Sequence, residues 1–187
     1  IQHLQIAEKN SRIMERIRFK RFALVTAHRA ENVDDPAVLK SFFETFIESP
    51  LPIVYPIHPR THKRLRQQKL WKKLTFSENV QILPPLGYLD FLILMKNCEM
   101  MLTDSGGLQE EATAPPIRKP VLVIRVSTER PEAVEAGFAR IVGLKKKRIL
   151  AAIQQTLDEK VELPHVSPYG DGTAGKRIVK ILMREAS

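Results

Sequence analysis

The chain has 187 residues, of which 43% are hydrophobic and 27% are charged. This composition fits one globular domain or at most two small ones, and it excludes an intrinsically disordered chain. A membrane span needs about 18 consecutive apolar residues, and because no segment is that long we expect a soluble protein without membrane contacts. Cys98 is the single cysteine, which excludes an internal disulfide framework and fits the reducing cytoplasm.

The start of the chain gives a further expectation. Ile1 stands in place of a methionine, and no basic segment followed by an apolar one marks a signal peptide. We therefore expect the sequence to begin partway through a longer protein.

The net charge of +9 raises the question of a nucleic-acid partner. The basic residues are concentrated in two runs, over residues 63–73 and 145–148. Because aromatic residues make up only 6% of the chain, these runs favour solvated helix faces, or a surface for another protein segment, over base stacking. We expect no nucleic-acid partner.

The first half of the chain alternates short apolar runs with helical segments. Residues 22–27 predict a strand, and Asp34-Asp35-Pro36 supplies an N-cap and a first-turn proline for a helix to about Glu48. Residues 52–57 predict a second strand, although Pro56 is unfavourable near its end. A basic helix over 61–70, a strand over 80–83 and a helix over 88–96 are predicted to follow.

The second half continues this alternation. The predicted strands cover 99–103, 121–125 and 140–143, and the predicted helices cover 107–113, 131–136, 146–157 and 174–184. Because the strand cores are continuous apolar runs, as in strands covered on both faces, they predict an α/β fold with a doubly wound, Rossmann-like parallel sheet. Right-handed crossovers then bring every strand-to-helix loop to the same edge of the sheet.

Polar residues that packing does not require follow four of the predicted strands. They are His28-Arg29-Ala30-Glu31-Asn32, His58-Pro59-Arg60, Asp104-Ser105-Gly106-Gly107 and Ser127-Thr128-Glu129-Arg130. In a sheet of this type, ligands bind beyond the carboxyl ends of the strands. A single histidine after a strand is usually a local turn residue, but the four loops together predict a binding site.

The segment after the fourth strand predicts an anion site. Gly106 and Gly107 lack side chains, so the first amides of the following helix can approach an anion, and the Ser105 hydroxyl adds a donor. A phosphate group is the expected ligand, and Glu111 can accept hydrogen bonds from the ribose hydroxyls of a nucleotide. For Glu110 and Glu111 a simpler explanation stays open, because acidic residues in a first turn favour the helix dipole.

A second glycine-rich segment, residues 170–177, nearly matches the P-loop of nucleotide-binding proteins. However, Arg177 stands where a Ser or Thr is needed for Mg²⁺, and no predicted strand precedes the segment. We interpret it as a flexible turn into the last helix, or as a loop that closes over a ligand. We expect neither a metal nor a cofactor.

Together these motifs resemble the non-hydrolysing UDP-N-acetylglucosamine 2-epimerases, which interconvert UDP-N-acetylglucosamine and UDP-N-acetylmannosamine. In family order, they are TAHRAEN at 26–32, IHPR at 57–60, PLGYLDF at 85–91, DSGGLQEEA at 104–112, TERPE at 128–132 and YGDGTAGKR at 169–177. The family has the glycosyltransferase-B architecture, in which two Rossmann-like halves face each other across a cleft. The resemblance implies that residues 1–20 end the interdomain connection, with an N-terminal helix, and that residues 21–187 form the C-terminal, UDP-binding half.

The resemblance also implies roles for individual residues. In these roles, Ser105, Gly106 and Gly107 hold the diphosphate, Glu111 the ribose and Phe91 the uracil, while Arg29, His58 and Arg130 bind substrate and His28 serves in turnover. The family's reaction eliminates UDP with loss of the C2 proton, giving a 2-acetamidoglucal, and then adds UDP back. Charge that develops on the departing diphosphate needs cations and helix-end amides nearby.

The resemblance further implies that the acid–base carboxylates lie in the N-terminal half, so the chain alone would bind UDP weakly or not at all and would not epimerise. The intact protein is expected to be a cytoplasmic homodimer that binds UDP and UDP-N-acetylhexosamine. Two departures from the family pattern are a longer turn over 114–118 and Val126 in place of a polar residue.

Two alternatives to the epimerase half remain open. The nucleotide-binding half of a glycosyltransferase would share the Gly-Gly helix start and the ribose carboxylate. It has no need, however, of His28-Arg29 together with the TERP segment at 128–131. The second alternative is a non-enzymatic basic binding module.

Overall fold

The strands of the protein form a parallel sheet, described by a computed structural model over residues 2–159 and 161–185. The strands are β1 (Ala23–Thr26), β2 (Ile53–Pro56), β3 (Val80–Leu83), β4 (Met100–Thr103), β5 (Val121–Val123) and β6 (Ala139–Ile141). Their order in the sheet is β3-β2-β1-β4-β5-β6, and all pairs are parallel. The Rossmann-like prediction is therefore confirmed. Residues 1, 160, 186 and 187, which the predicted segments 1–20 and 21–187 include, lie outside the described residues.

Helices cover both faces of the sheet. Within the described residues they are α1 (Gln2–Asn10), α2 (Ala30–Val33), α3 (Pro36–Ile47), α4 (Pro59–Gln67), α5 (Trp71–Thr75), α6 (Tyr88–Asn97), α7 (Gly106–Glu111), α8 (Pro131–Glu135), α9 (Lys146–Asp158) and α10 (Ala174–Glu185). The predicted helix over 61–70 is wrong in its bounds. It begins at Pro59 and ends at Gln67, and Lys69, with φ 58°, separates it from α5. The short helices α2 and α5 were not predicted.

The core lies in two layers, one on each face of the sheet. In α3, Leu39, Phe42, Phe43 and Phe46 recur at the spacing of one helix face, and all four are buried against the strands. Full burial of one such side chain stabilises the fold by about 1.5–3 kcal/mol. The opposite layer is built by α1, α6 and α8, with Leu94 of α6 fully buried.

The N-terminal stretch is part of this second layer. Leu4 and Ala7 of α1 are buried, and Glu8 forms an ion pair with Lys96 of α6. Arg18 then donates a hydrogen bond to the carbonyl of Val80 at 2.8 Å, which ties the stretch to β3. Within residues 2–18, Leu4, Ala7 and Ile13 are buried and pack this stretch against the core layer on that face, while most of its other side chains are exposed.

The last helix, α10, differs from the helices of the core in that its apolar side chains are exposed. Ile178, Val179, Ile181 and Leu182 of α10 are between 55% and 63% exposed, although they are apolar. None of the helices in the described part of the chain has the length and apolar character that crossing a membrane requires.

Candidate functional site

The site forms where the strand order reverses, between β1 and β4. The last residues of these strands, Thr26 and Thr103, are paired in the sheet, and their hydroxyl oxygens are 2.6 Å apart. The loop after β1 and the loop after β4 therefore leave the sheet side by side. A crevice at this reversal point is where open α/β sheets bind ligands.

Asp104, the first residue after β4, connects the two loops. Its side chain is fully buried, and its Oδ2 accepts hydrogen bonds from the amides of His28 and Arg29, each at 2.8 Å. The side-chain amide of Asn32 donates to the same oxygen at 3.1 Å. Asp104 is part of the DSGGLQEEA motif, but no role was predicted for it. The sequence signal that could have identified Asp104 is a carboxylate directly after an apolar, buried strand, a position where packing does not require a charge.

The two predicted histidines lie next to each other. The ring centroids of His28 and His58 are 5.2 Å apart, and Nδ1 of His28 lies 3.3 Å from Oδ1 of Asp104. Nδ1 of His58 accepts a hydrogen bond from the amide of Arg60 at 3.2 Å. Burial lowers the pKa of His58, and electrostatic interactions with His28 and Arg60 lower it further, against a smaller opposing effect of Asp104. His58 is therefore predominantly uncharged at neutral pH.

Prolines help to hold two site residues at this edge. His58 is the N-cap of α4, which begins at Pro59, and Arg130 is the N-cap of α8, which begins at Pro131. A residue before proline is kept out of the helical region of backbone space. Both side chains consequently remain at the junction between strand and helix, on the side of the sheet where the site lies.

The predicted anion turn is at the same edge, with one difference from the prediction. The amide of Ser105 already donates to Oγ1 of Thr103 at 3.0 Å, so it is not free for a phosphate. The Ser105 hydroxyl makes no capping hydrogen bond to α7. Gly106 is buried and Gly107 is exposed at the start of α7, where an α-helix has amides without intrahelical acceptors.

The cations around this turn are paired with carboxylates. Arg125, only 7% exposed, donates to Glu31 at 3.0 Å and to Glu129 at 2.5 Å. Arg29 contacts the other oxygen of Glu129 at 3.1 Å. Hydrogen bonding to Arg125 lowers the pKa of Glu129 to about 2. Glu129 is thus ionised over the whole physiological range and holds the two guanidinium groups together.

Arg130 completes the cationic side of the turn. Its Nε donates to Oε1 of Glu110, and its side chain would lie 3.8 Å from a Cβ atom added at Gly106. Glu110 therefore has a direct ionic partner besides the helix dipole considered from the sequence. The structure brings Arg29, Arg130 and the glycine turn together.

Glu111, the last residue of α7, lies beside α6, the helix that carries Phe91. Oε2 of Glu111 accepts a hydrogen bond from the hydroxyl of Tyr88 at 3.2 Å, and burial is the main cause that raises the pKa of Glu111. Phe91 follows one turn later on α6, where it is half-buried and packs against the core layer of that face. No role was predicted for Tyr88, although it lies within the PLGYLDF motif. It also contacts His3 of α1 edge to face, with ring centroids 5.8 Å apart.

The glycine-rich segment before α10 is not a P-loop. No strand precedes it within residues 161–173, and Gly170 and Gly172 have φ values of 92° and 80°, as in turns. Asp171 accepts a hydrogen bond from the amide of Thr173 at 2.9 Å just before α10 begins. The interpretation as a turn into the last helix is confirmed.

Comparison with known proteins identifies the family. The family model described as UDP-N-acetylglucosamine 2-epimerase matches residues 1–183. The curated UDP-N-acetylglucosamine 2-epimerase of Methanocaldococcus jannaschii is 42% identical over 192 residues, which cover 97% of this chain and 51% of that protein. The crystal structure of the Methanocaldococcus jannaschii UDP-GlcNAc 2-epimerase in complex with UDP-GlcNAc and UDP has a TM-score of 0.87 at 41% identity, covering 98% of this chain and 51% of that one.

A second solved structure indicates the same family. The UDP-GlcNAc 2-epimerase from Neisseria meningitidis bound to UDP-GlcNAc has a TM-score of 0.77 at 33% identity, covering 96% of this chain and 49% of that one. The chain spans about half the length of the relatives that it matches. These similarities decide against the glycosyltransferase and basic-module alternatives. The chain belongs to the UDP-N-acetylglucosamine 2-epimerase family.

Proposed function

We propose that this chain is the C-terminal, UDP-binding half of an enzyme that interconverts UDP-N-acetylglucosamine and UDP-N-acetylmannosamine. The observation that carries the proposal is the convergence of His28, His58 and the turn at Ser105 on one edge of the sheet, in a family whose solved members bind UDP-GlcNAc. A ligand in the crevice between β1 and β4 would touch all three.

The diphosphate is assigned to the glycine turn. The amides of Gly106 and Gly107 and the hydroxyl of Ser105 donate to its oxygens, and Arg29 and Arg130 balance its charge. Both arginines are already paired with carboxylates here. A bound diphosphate carries at least two negative charges, so it competes with Glu129 and Glu110 for these cations.

The nucleoside is assigned to the other end of α7. Glu111 accepts hydrogen bonds from the ribose hydroxyls, and the hydroxyl of Tyr88 keeps its carboxylate oriented at 3.2 Å. Phe91, on the same helix as Tyr88, contacts the uracil ring. The length of α7 then separates the two ends of the nucleotide.

Turnover is assigned to the two halves acting together. In the elimination step the C2 proton leaves to a carboxylate of the N-terminal half, and the C1–O bond breaks, with its electron pair going to UDP. Arg29 faces the leaving diphosphate and stabilises the charge that develops on it, and His28 serves in turnover beside it. Re-addition of UDP follows the return of the proton on the opposite face of C2. His58 binds the substrate beside His28.

The ends of the chain connect it to the rest of the protein in this proposal. Residues 1–20 end the interdomain connection, and the exposed apolar side chains of α10 pack against the N-terminal half. The intact protein acts as a homodimer in the cytoplasm. The chain alone does not epimerise, because it lacks the carboxylates that exchange the proton.

Calorimetric titration of the chain with UDP tests the binding part of the proposal. Ser105→Ala and Glu111→Ala should each weaken binding, whereas Glu135→Ala, at an exposed position at the end of α8, serves as the control and should not. Equal affinity in all four proteins would contradict the assignment. A response that falls steeply with salt and is not competed by UDP-sugar would indicate the basic binding module instead.

An epimerisation assay after addition of the N-terminal half tests turnover. Activity should appear only when both halves are present, and His28→Ala should abolish it while UDP affinity stays near that of the wild type. Retained turnover in the His28 variant would remove this residue from the mechanism.

A further inference from the structure

We propose that Asp104 is a positioning residue, which fixes the neutral imidazole of His28 with its proton on Nδ1 and so leaves Nε2 as a hydrogen-bond acceptor. Nε2 is on the side of the ring away from the buried Asp104, and since the His28 side chain is 37% exposed we assign Nε2 to the open edge of the site. The catalytic role of His28 rests on the proposed function. Its tautomer, by contrast, can be measured in this chain alone.

The two oxygens of Asp104 carry the argument. Oδ2 is saturated by the amides of His28 and Arg29 and by the side chain of Asn32, at 2.8, 2.8 and 3.1 Å. Oδ1 is buried, and it has no hydrogen-bond partner among the described residues. A buried acceptor without a donor costs about 1–3 kcal/mol. The nitrogen next to it is Nδ1 of His28 at 3.3 Å.

The protonation of that nitrogen decides whether the contact is favourable. With a proton on Nδ1, a small rotation of the His28 ring lets it donate to Oδ1 and satisfy the buried oxygen. With a lone pair on Nδ1, two acceptors would face each other at 3.3 Å. Asp104 therefore selects the Nδ1–H tautomer, as carboxylates beside catalytic histidines do elsewhere.

His58 has the opposite tautomer. Its Nδ1 accepts from the amide of Arg60 at 3.2 Å, so the proton of the neutral ring is on Nε2. Since the two rings are 5.2 Å apart, the pair offers one acceptor, from His28, and one donor, from His58. A substrate group that both donates and accepts fits this pair. The hydroxyl and acetamido groups of an N-acetylhexosamine have that property.

Nitrogen-resolved NMR of the full chain labelled with ¹⁵N-histidine tests the proposal, and the five histidines make the spectrum tractable. At a pH of about 8.5, where imidazoles are neutral, the wild type should show Nδ1–H for His28 and Nε2–H for His58. Asp104→Asn should reverse the tautomer of His28 only. The backbone amides keep the oxygen of Asn in the Oδ2 position, so its NH₂ group faces Nδ1 and donates to it.

Asp90→Asn is the matched control, because Asp90 is on α6 and accepts from Ser11 outside the site. It should leave both tautomers unchanged. An Nε2–H tautomer of His28 in the wild type would overturn the proposal without any variant, even if Asp104→Asn failed to fold. A folded Asp104→Asn protein that keeps Nδ1–H would overturn it as well.

Kinetics of the two halves combined supply the second measurement. Asp104→Asn should lower kcat roughly tenfold or more while KM stays within about twofold, since a reversed tautomer removes an acceptor needed in turnover. A rise in KM without loss of kcat would show that Asp104 acts only on substrate binding and would overturn its role in turnover. The expected tautomers, together with combined halves that neither bind UDP nor epimerise, would refute the proposed function and leave the tautomer assignment standing.

Discussion

Gly106 offers a substitution that separates stability from binding. A Cβ added there lies 3.7 Å from Oε2 of Glu129 and 3.8 Å from the Arg130 side chain, which is ordinary van der Waals contact. Gly106→Ala is therefore unstrained in the chain without ligand. Alanine has less backbone freedom to lose on folding, so the variant should be more stable by about 0.4–1 kcal/mol. For a domain of this size that raises the thermal midpoint by about 1–4 °C.

The same methyl group should weaken the binding of UDP. It occupies the side of the backbone that faces Arg130, where the proposed diphosphate oxygen approaches the amide. Loss of one hydrogen bond to a charged group costs about 1.5–3 kcal/mol. The affinity should then fall roughly 10- to 150-fold.

Calorimetric titration with UDP and thermal unfolding of the same preparations check both effects. Gly175→Ala is the matched control, because Gly175 is also in the first turn of a helix and an added Cβ meets no atom within 4 Å. It should gain similar stability and keep its UDP affinity. A Gly106→Ala protein that binds UDP as tightly as the wild type would refute the close approach of the phosphate. A destabilised one would refute the steric argument.

Three further predictions concern the ribose carboxylate, a buried hydroxyl below the site and the last helix. Binding of UDP-GlcNAc should weaken as the pH falls through the raised pKa of Glu111, because protonation of this carboxylate removes a hydrogen-bond acceptor. The diphosphate diester of the ligand does not titrate in this range. In calorimetric titrations at different pH values, Glu111→Gln should therefore make the affinity nearly independent of pH. Tyr55→Phe removes a hydroxyl that donates at 2.9 Å to a main-chain carbonyl in the loop after β1, and in urea unfolding it should cost about 1 kcal/mol. Thr61 donates to the same carbonyl at 2.7 Å, so either hydroxyl alone still satisfies this oxygen. The double variant Tyr55→Phe/Thr61→Val should therefore lose more free energy of unfolding than the two single variants together. Simple additivity would contradict the shared acceptor. The double change Ile181→Glu and Leu182→Glu should alter the stability of the chain by less than about 0.5 kcal/mol, since these side chains are 58% and 63% exposed. The same variant should no longer co-elute with the N-terminal half in size-exclusion chromatography. Unimpaired co-elution would contradict the proposed contact.

The order of strands and helices could be predicted because its signals are local. Apolar runs and turn residues predicted a strand at 80–83, which is β3, and a helix at 146–157, which is α9 within one residue at its end. The short helices α2 and α5 were missed, because four or five residues contain too little helical periodicity to detect. The left-handed backbone at Lys69, which ends α4 early, also has no signal in that residue type.

The sequence by itself determined which residue types follow each strand, and hence the family and the edge of the sheet at which a site forms. Only the tertiary structure decided how these residues pair. Asp104 contacts His28 and Tyr88 contacts Glu111 across separations of 76 and 23 residues. Partners so far apart meet because of the order of the strands and the packing of α6 against the sheet, and these depend on the whole core rather than on any local pattern.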